Sequence, residues 1–118
     1  MSNLESWKFV IEFYENLMSE GFRFEPLLEL CKFIETTEFA PQLYAFTSHL
    51  VLCISTVEDH FDQGNLPMIT VQYSDTDKFD IKYWNRADRP GQAHKISPYR
   101  NHPTDTLLQL FPVLLQAT

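Results

Sequence analysis

Apolar residues recur at helical spacing through the first twenty positions. Trp7, Val10, Ile11, Tyr14, Leu17 and Met18 follow the i, i+3, i+4, i+7 rule and form one stripe, which Phe9 and Phe13 widen. Ser2 and Glu5 stand where a capping box needs them, each side chain in reach of a backbone N–H that the first helical turn leaves unpaired. Gly21 offers a residue able to take the left-handed conformation of a helix C-terminus. The spacing therefore predicts a helix over 3–20. A second is predicted over about 25–36, with Pro26 in the first turn and Leu27, Leu30, Cys31 and Ile34 on its inner face. The short link from Gly21 to Phe24 makes the two an antiparallel hairpin.

The period then changes from 3.6 to 2. Tyr44, Phe46, Leu50, Leu52 and Ile54 share one parity, broken only by Ser48. Residues 43–55 exceed the usual strand length of about 5–6, so the segment either starts as a short helix after Pro41 or bends near Thr47. The clearest alternation follows. Ile69, Val71 and Tyr73 alternate with Thr70, Gln72 and Ser74, and Phe79, Ile81 and Tyr83 alternate with Asp80 and Lys82. The turn formers of 74–78 lie between the two runs, which predicts an antiparallel hairpin with one dry and one wet face. Residues 85–103 read as loop with a short strand around 93–97. A last helix is expected over 104–117, capped by Thr104 or Asp105.

Helices, then strands, then one helix give an α+β class. It comprises an N-terminal helical hairpin, an antiparallel sheet with a central β-hairpin, and a C-terminal helix packed on one sheet face. A length of 118 residues suits a single domain spanning 1–118. At 44% apolar residues the chain has enough hydrophobic surface to fold, which excludes a disordered protein. No apolar run approaches the roughly 18 residues of a membrane helix. The first twenty residues hold four glutamates and no basic n-region, so no secretory signal is expected and the expected setting is cytoplasmic, without membrane contact. Cys31 and Cys53 sit in apolar surroundings and read as buried free thiols. Three scattered glycines form no phosphate-cradling loop, and no hydrolase, zinc or EF-hand motif is present, so no cofactor or metal is expected.

The net charge of -7 is unevenly distributed. Residues 1–40 carry eight acidic and three basic side chains, residues 41–77 five acidic and none basic, and residues 78–118 three acidic and six basic. An acidic body makes nucleic acid an unlikely partner. The basic segment interleaves Trp84, Arg86, Arg89, His94 and Arg100, a set able to grip an anionic ligand or an acidic peptide through stacking and charge. The last helix raises a different prospect. Seven apolar residues lie between 107 and 115, with only Gln109 and Pro112 between them. A helix apolar nearly all round must be covered on more than one side. It lies deep in the domain, or Leu107, Leu110, Phe111 and Leu114 dock on a second subunit or partner.

Other candidate chemistry is weaker. Glu58, Asp59, His60 and Asp62 bring carboxylates and an imidazole into one loop, but consecutive loop residues rarely converge on a metal. His49 shares strand parity with Cys53 at about 13 Å, too far for a nucleophile–base pair, and reads as structural. The residues favour a small, non-catalytic interaction protein of adaptor or immunity-like type, expected to be homodimeric. The alternatives are a binding module for an anionic ligand or acidic peptide using residues 82–102, and an unfamiliar small enzyme or metal-binding protein.

Overall fold

A computed structural model of the chain describes residues 2–58, 67–74, 78–84 and 103–116, and the backbone of 93–95. The elements are helix α1 (Asn3–Ser19), helix α2 (Glu25–Glu35), a 3-10 turn (Ala40–Gln42), strands β1 (Tyr44–Ser48), β2 (Val51–Ser55), β3 (Met68–Ser74), β4 (Lys78–Trp84) and β5 (Ala93–Lys95), and helix α3 (Pro103–Gln116). The class is α+β. The five strands form one antiparallel meander in the order β1-β2-β3-β4-β5.

Alternation along each strand builds the core. The register lines up Leu52, Val71 and Ile81 across β2, β3 and β4, and Ile54, Ile69 and Tyr83 beside them. These side chains share one sheet face. All are buried, and they merge with Trp7, Val10 and Tyr14 of α1, Leu27, Cys31 and Ile34 of α2, and Leu107, Phe111 and Leu114 of α3. The capping box at the start of α1 is formed, with Glu5 N–H donating to Ser2 Oγ at 3.2 Å and Ser2 N–H donating to Glu5 Oε1 at 3.0 Å. The Ser2 backbone N–H, and after it the Ser2 side chain, hydrogen-bonded to the Glu5 carboxyl hold it below its ordinary range. Gly21 has φ of 100° just beyond the α1 C-terminus, where a side chain would be strained.

Several expectations need correction. The run over 43–55 is two strands, not one. The segment does not start as a helix, since the 3-10 turn Ala40–Gln42 ends before it and Leu43 is already extended; the chain instead reverses at His49 and Leu50, just beyond Thr47. Those two residues have φ of 51° and 69°, the double positive pattern of a type I′ hairpin turn. Asn-Gly usually signals such a turn, so nothing in His-Leu marked it. His49 is an exposed turn residue rather than a structural strand histidine. Neither Thr104 nor Asp105 is the N-cap residue, because α3 already begins at Pro103; Asp105 lies in the first turn, where a negative charge suits the helix dipole. Phe9 does not widen the core stripe. It is 58% exposed.

Candidate functional site

The outer edge of β1 combines exposed apolar surface with unpaired backbone. In a two-residue hairpin the residues flanking the turn exchange hydrogen bonds, so Ser48, Phe46 and Tyr44 direct their backbone groups to β2. Leu43, Ala45 and Thr47 direct theirs outward. Helix α1 runs alongside and satisfies the first of them. Trp7 Nε1 donates to the Leu43 carbonyl at 3.1 Å. The buried Ser6 hydroxyl accepts the Ala45 N–H at 3.0 Å and donates to the Asn3 carbonyl at 2.6 Å. Tyr14 Oη donates to the Leu50 carbonyl at 3.1 Å, tying α1 to the strained turn.

The second half of this edge is different. The Ala45 carbonyl and both backbone groups of Thr47 face the same way and meet no partner among the described residues. Between this stretch and α1 lies an open groove of about 320 Å³, bordered by Ser6 and Phe9 of the helix, Ala45, Phe46 and Thr47 of the strand, and Glu58. A sheet edge with free N–H and C=O groups is a template for another strand. Here it stands beside a phenylalanine more exposed than any other large apolar residue described.

A second groove, of about 420 Å³, separates α1 from α2 among Lys8, Glu12, Glu15, Lys32 and Glu35. Lys32 Nζ lies 3.9 Å from Glu15 Oε2, and both side chains are about half exposed. The arrangement is a solvated ion pair worth little.

The residues expected to bind a partner fare unevenly. Leu107, Phe111 and Leu114 have no exposed surface, and Phe111 packs its ring against Phe39 with centroids 5.3 Å apart. They serve the chain's own core, so no partner reaches them. Leu110 is partly buried against the same core. Of the apolar residues in α3, only Val113 is strongly exposed. The helix resolves its crowding by burying one stripe at 107, 111 and 114 and leaving Gln109, Pro112 and Val113 outward.

Trp84 lies on the sheet face opposite the core, as its parity requires, but it is half-buried rather than a free anchor. Its Nε1 donates to Thr70 Oγ1 at 2.9 Å. Lys82 Nζ sits 5.7 Å from the ring centroid and 3.9 Å from Asp80 Oδ2, so its charge is shared with a carboxylate. His94 is in β5, opposite Tyr83 in the register. Arg86, Arg89 and Arg100 lie outside the described residues, as do Asp59, His60 and Asp62. No group of three or more metal-ligating side chains occurs among the described residues. Cys31 and Cys53 are buried free thiols, and burial pushes the Cys31 thiol up to about 12, far from a reactive thiolate. Burial likewise raises the Tyr14 and Tyr83 phenols.

Sequence reasoning gave no site role to Ser6, Phe9 or Thr47. A signal for Phe9 was present. At 3.6 residues per turn it lies about 200° around the helix from Trp7, nearly opposite the core stripe. No such signal existed for Ser6 or Thr47, because their roles depend on where α1 meets β1. No helix among the described residues is long and apolar enough to cross a membrane. No family model, curated protein or solved structure matches the chain.

Proposed function

We propose that this chain is a small, non-catalytic protein–protein interaction module of adaptor or immunity-like type, and that it meets its partner through the groove between α1 and β1. One observation carries the reading. Phe9 stands 58% exposed beside backbone groups of Ala45 and Thr47 that have no partner among the described residues. An apolar side chain next to an uncapped sheet edge is costly to leave in water and favours a protein ligand. A cytoplasmic setting fits the two buried, unbridged thiols. Self-association loses its argument from α3, since Leu107, Phe111 and Leu114 lie within the core.

Site-specific photo-crosslinking in the source cell tests this. A photoreactive phenylalanine analogue at position 9 should trap a discrete partner, and one at position 33, an exposed site on α2, should not. Phe9→Asp should abolish the crosslinks formed from position 46 while leaving the thermal midpoint unchanged. Crosslinks of equal yield from positions 9 and 33, or survival of the position 46 crosslinks in Phe9→Asp, would sink the reading.

A further inference from the structure

We infer that the open half of β1 accepts an extended, basic segment of another polypeptide as an added strand. The inference rests on the proposed interaction role and names the occupant. Ser6 and Trp7 already occupy the edge at Leu43 and at the Ala45 N–H. What remains without a partner among the described residues is one donor and two acceptors: the Thr47 N–H, the Thr47 carbonyl and the Ala45 carbonyl. Residues two apart on a strand present such groups about 6.6–7 Å apart, which is the repeat of another extended chain and of no small anion. A short strand can therefore add three hydrogen bonds without displacing either α1 contact. Strand addition of this kind draws affinity from main-chain bonds and specificity from alternate side chains. Phe9, across the groove from Phe46, supplies the apolar wall for one of those side chains.

Charge selects the sign of the occupant. Residues 2–58, which include both walls of the groove, hold nine carboxylates against Lys8, Arg23 and Lys32. A segment carrying lysine or arginine is drawn to that field, and an acidic one is repelled. The same field argues against a second copy of this chain on the edge. Paired β1 strands would bring two equally acidic bodies, each with its own Glu58, against one another.

The test uses the full chain labelled with ¹⁵N and a nine-residue peptide of alternating valine and threonine with a lysine at each end. The Thr47 amide should shift downfield and saturably on titration, and its hydrogen exchange should slow by at least ~10-fold. The same peptide methylated at every backbone nitrogen cannot donate to the two carbonyls and should bind at least ~10-fold more weakly. Replacing its lysines with glutamates should weaken binding by a similar ~10-fold factor at low salt. The inference is overturned if the Thr47 amide does not respond, or if the methylated or acidic peptide binds as well as the parent. It is overturned too if the Thr47 amide shifts with protein concentration alone, which would assign the edge to a second copy. Partner crosslinks through position 9 with an unresponsive Thr47 amide would leave the interaction role standing and remove only strand addition. A responsive amide with position 46 crosslinks that survive Phe9→Asp would remove the proposed Phe9-centred interaction role and leave only strand addition at Thr47.

Discussion

Helices α1 and α3 have similar apolar content to the eye and opposite fates. Helix α3 is the more hydrophobic, yet it keeps Leu107, Phe111 and Leu114 wholly within the core and exposes little beyond Val113. Helix α1 buries a comparable stripe at Trp7, Val10 and Tyr14 but leaves Phe9 on its far side, next to an edge strand. Density of apolar residues measures how much surface a helix must hide. It does not show which residue the neighbouring elements fail to cover. Coverage depends on what packs alongside: α1 flanks the edge strand β1, whereas α3 packs against α2 and Phe39 with its stripe inside the common core.

Substitutions should separate the two helices, and the largest effect belongs to α3. Phe111→Ala removes a ring with no exposed surface that packs on Phe39, and should cost about 3–5 kcal/mol in chemical denaturation. A loss below about 1 kcal/mol would show that α3 is not part of the core. Next come the contacts that seal the edge. Ser6→Ala strands the Ala45 N–H and should cost about 1–3 kcal/mol, together with faster exchange of that amide. Relief of strain gives a gain of similar order. The pair His49→Asn and Leu50→Gly puts turn-compatible residues at φ of 51° and 69°, keeps the carbonyl that Tyr14 uses, and should stabilise by about 1 kcal/mol per residue. An unchanged thermal midpoint would mean that the turn is not held in the left-handed region.

The ionisable core gives a prediction in pH. Cys31 moves from 9.0 to about 12 on folding, and Tyr14 moves upward from 10.0, both because burial disfavours the anion. Raised folded values mean that this stabilisation is complete below the unfolded values and is lost as pH rises from about 9 through about 12. Unfolding midpoints should fall over that window, and Cys31→Ala should flatten the fall even though its stability at pH 7 is lower. A parallel decline in both proteins would remove Cys31 as a cause. Smallest of all is Phe9→Ser, which should change stability by no more than about 0.5 kcal/mol, because its side chain is mostly in water. A cost near that of Phe111→Ala would place Phe9 in the core and dissolve the contrast between the helices.

The elements that were legible share one property, that their signal is local. The Ser2–Glu5 capping box, Pro26 in the first turn of α2, and the alternation of 69–73 and 79–83 each depend on neighbours within a few residues. The hairpin at 48–51 was illegible because its turn uses two residues that rarely take positive φ. Trp84 shows a mixed case. Parity placed it on the face away from the core, but its hydrogen bond to Thr70, fourteen residues away, depends on the β3–β4 register. The edge site was the least legible. It needs Ser6 and Phe9 beside Ala45 and Thr47, nearly forty residues later in the chain.

By itself the sequence determined the α+β class, the ends of α1, the central hairpin and the stripe of α2, since each follows from periodicity, capping and turn chemistry within a short window. Tertiary structure alone decided that Phe111 is core and Phe9 is surface, and that α1 seals the first half of β1 while the second half meets no partner among the described residues. The physical reason is that burial and hydrogen-bond satisfaction belong to pairs of elements. A side chain's hydrophobicity is its own property, but the atoms that cover it, or leave it in water, arrive from elsewhere in the chain.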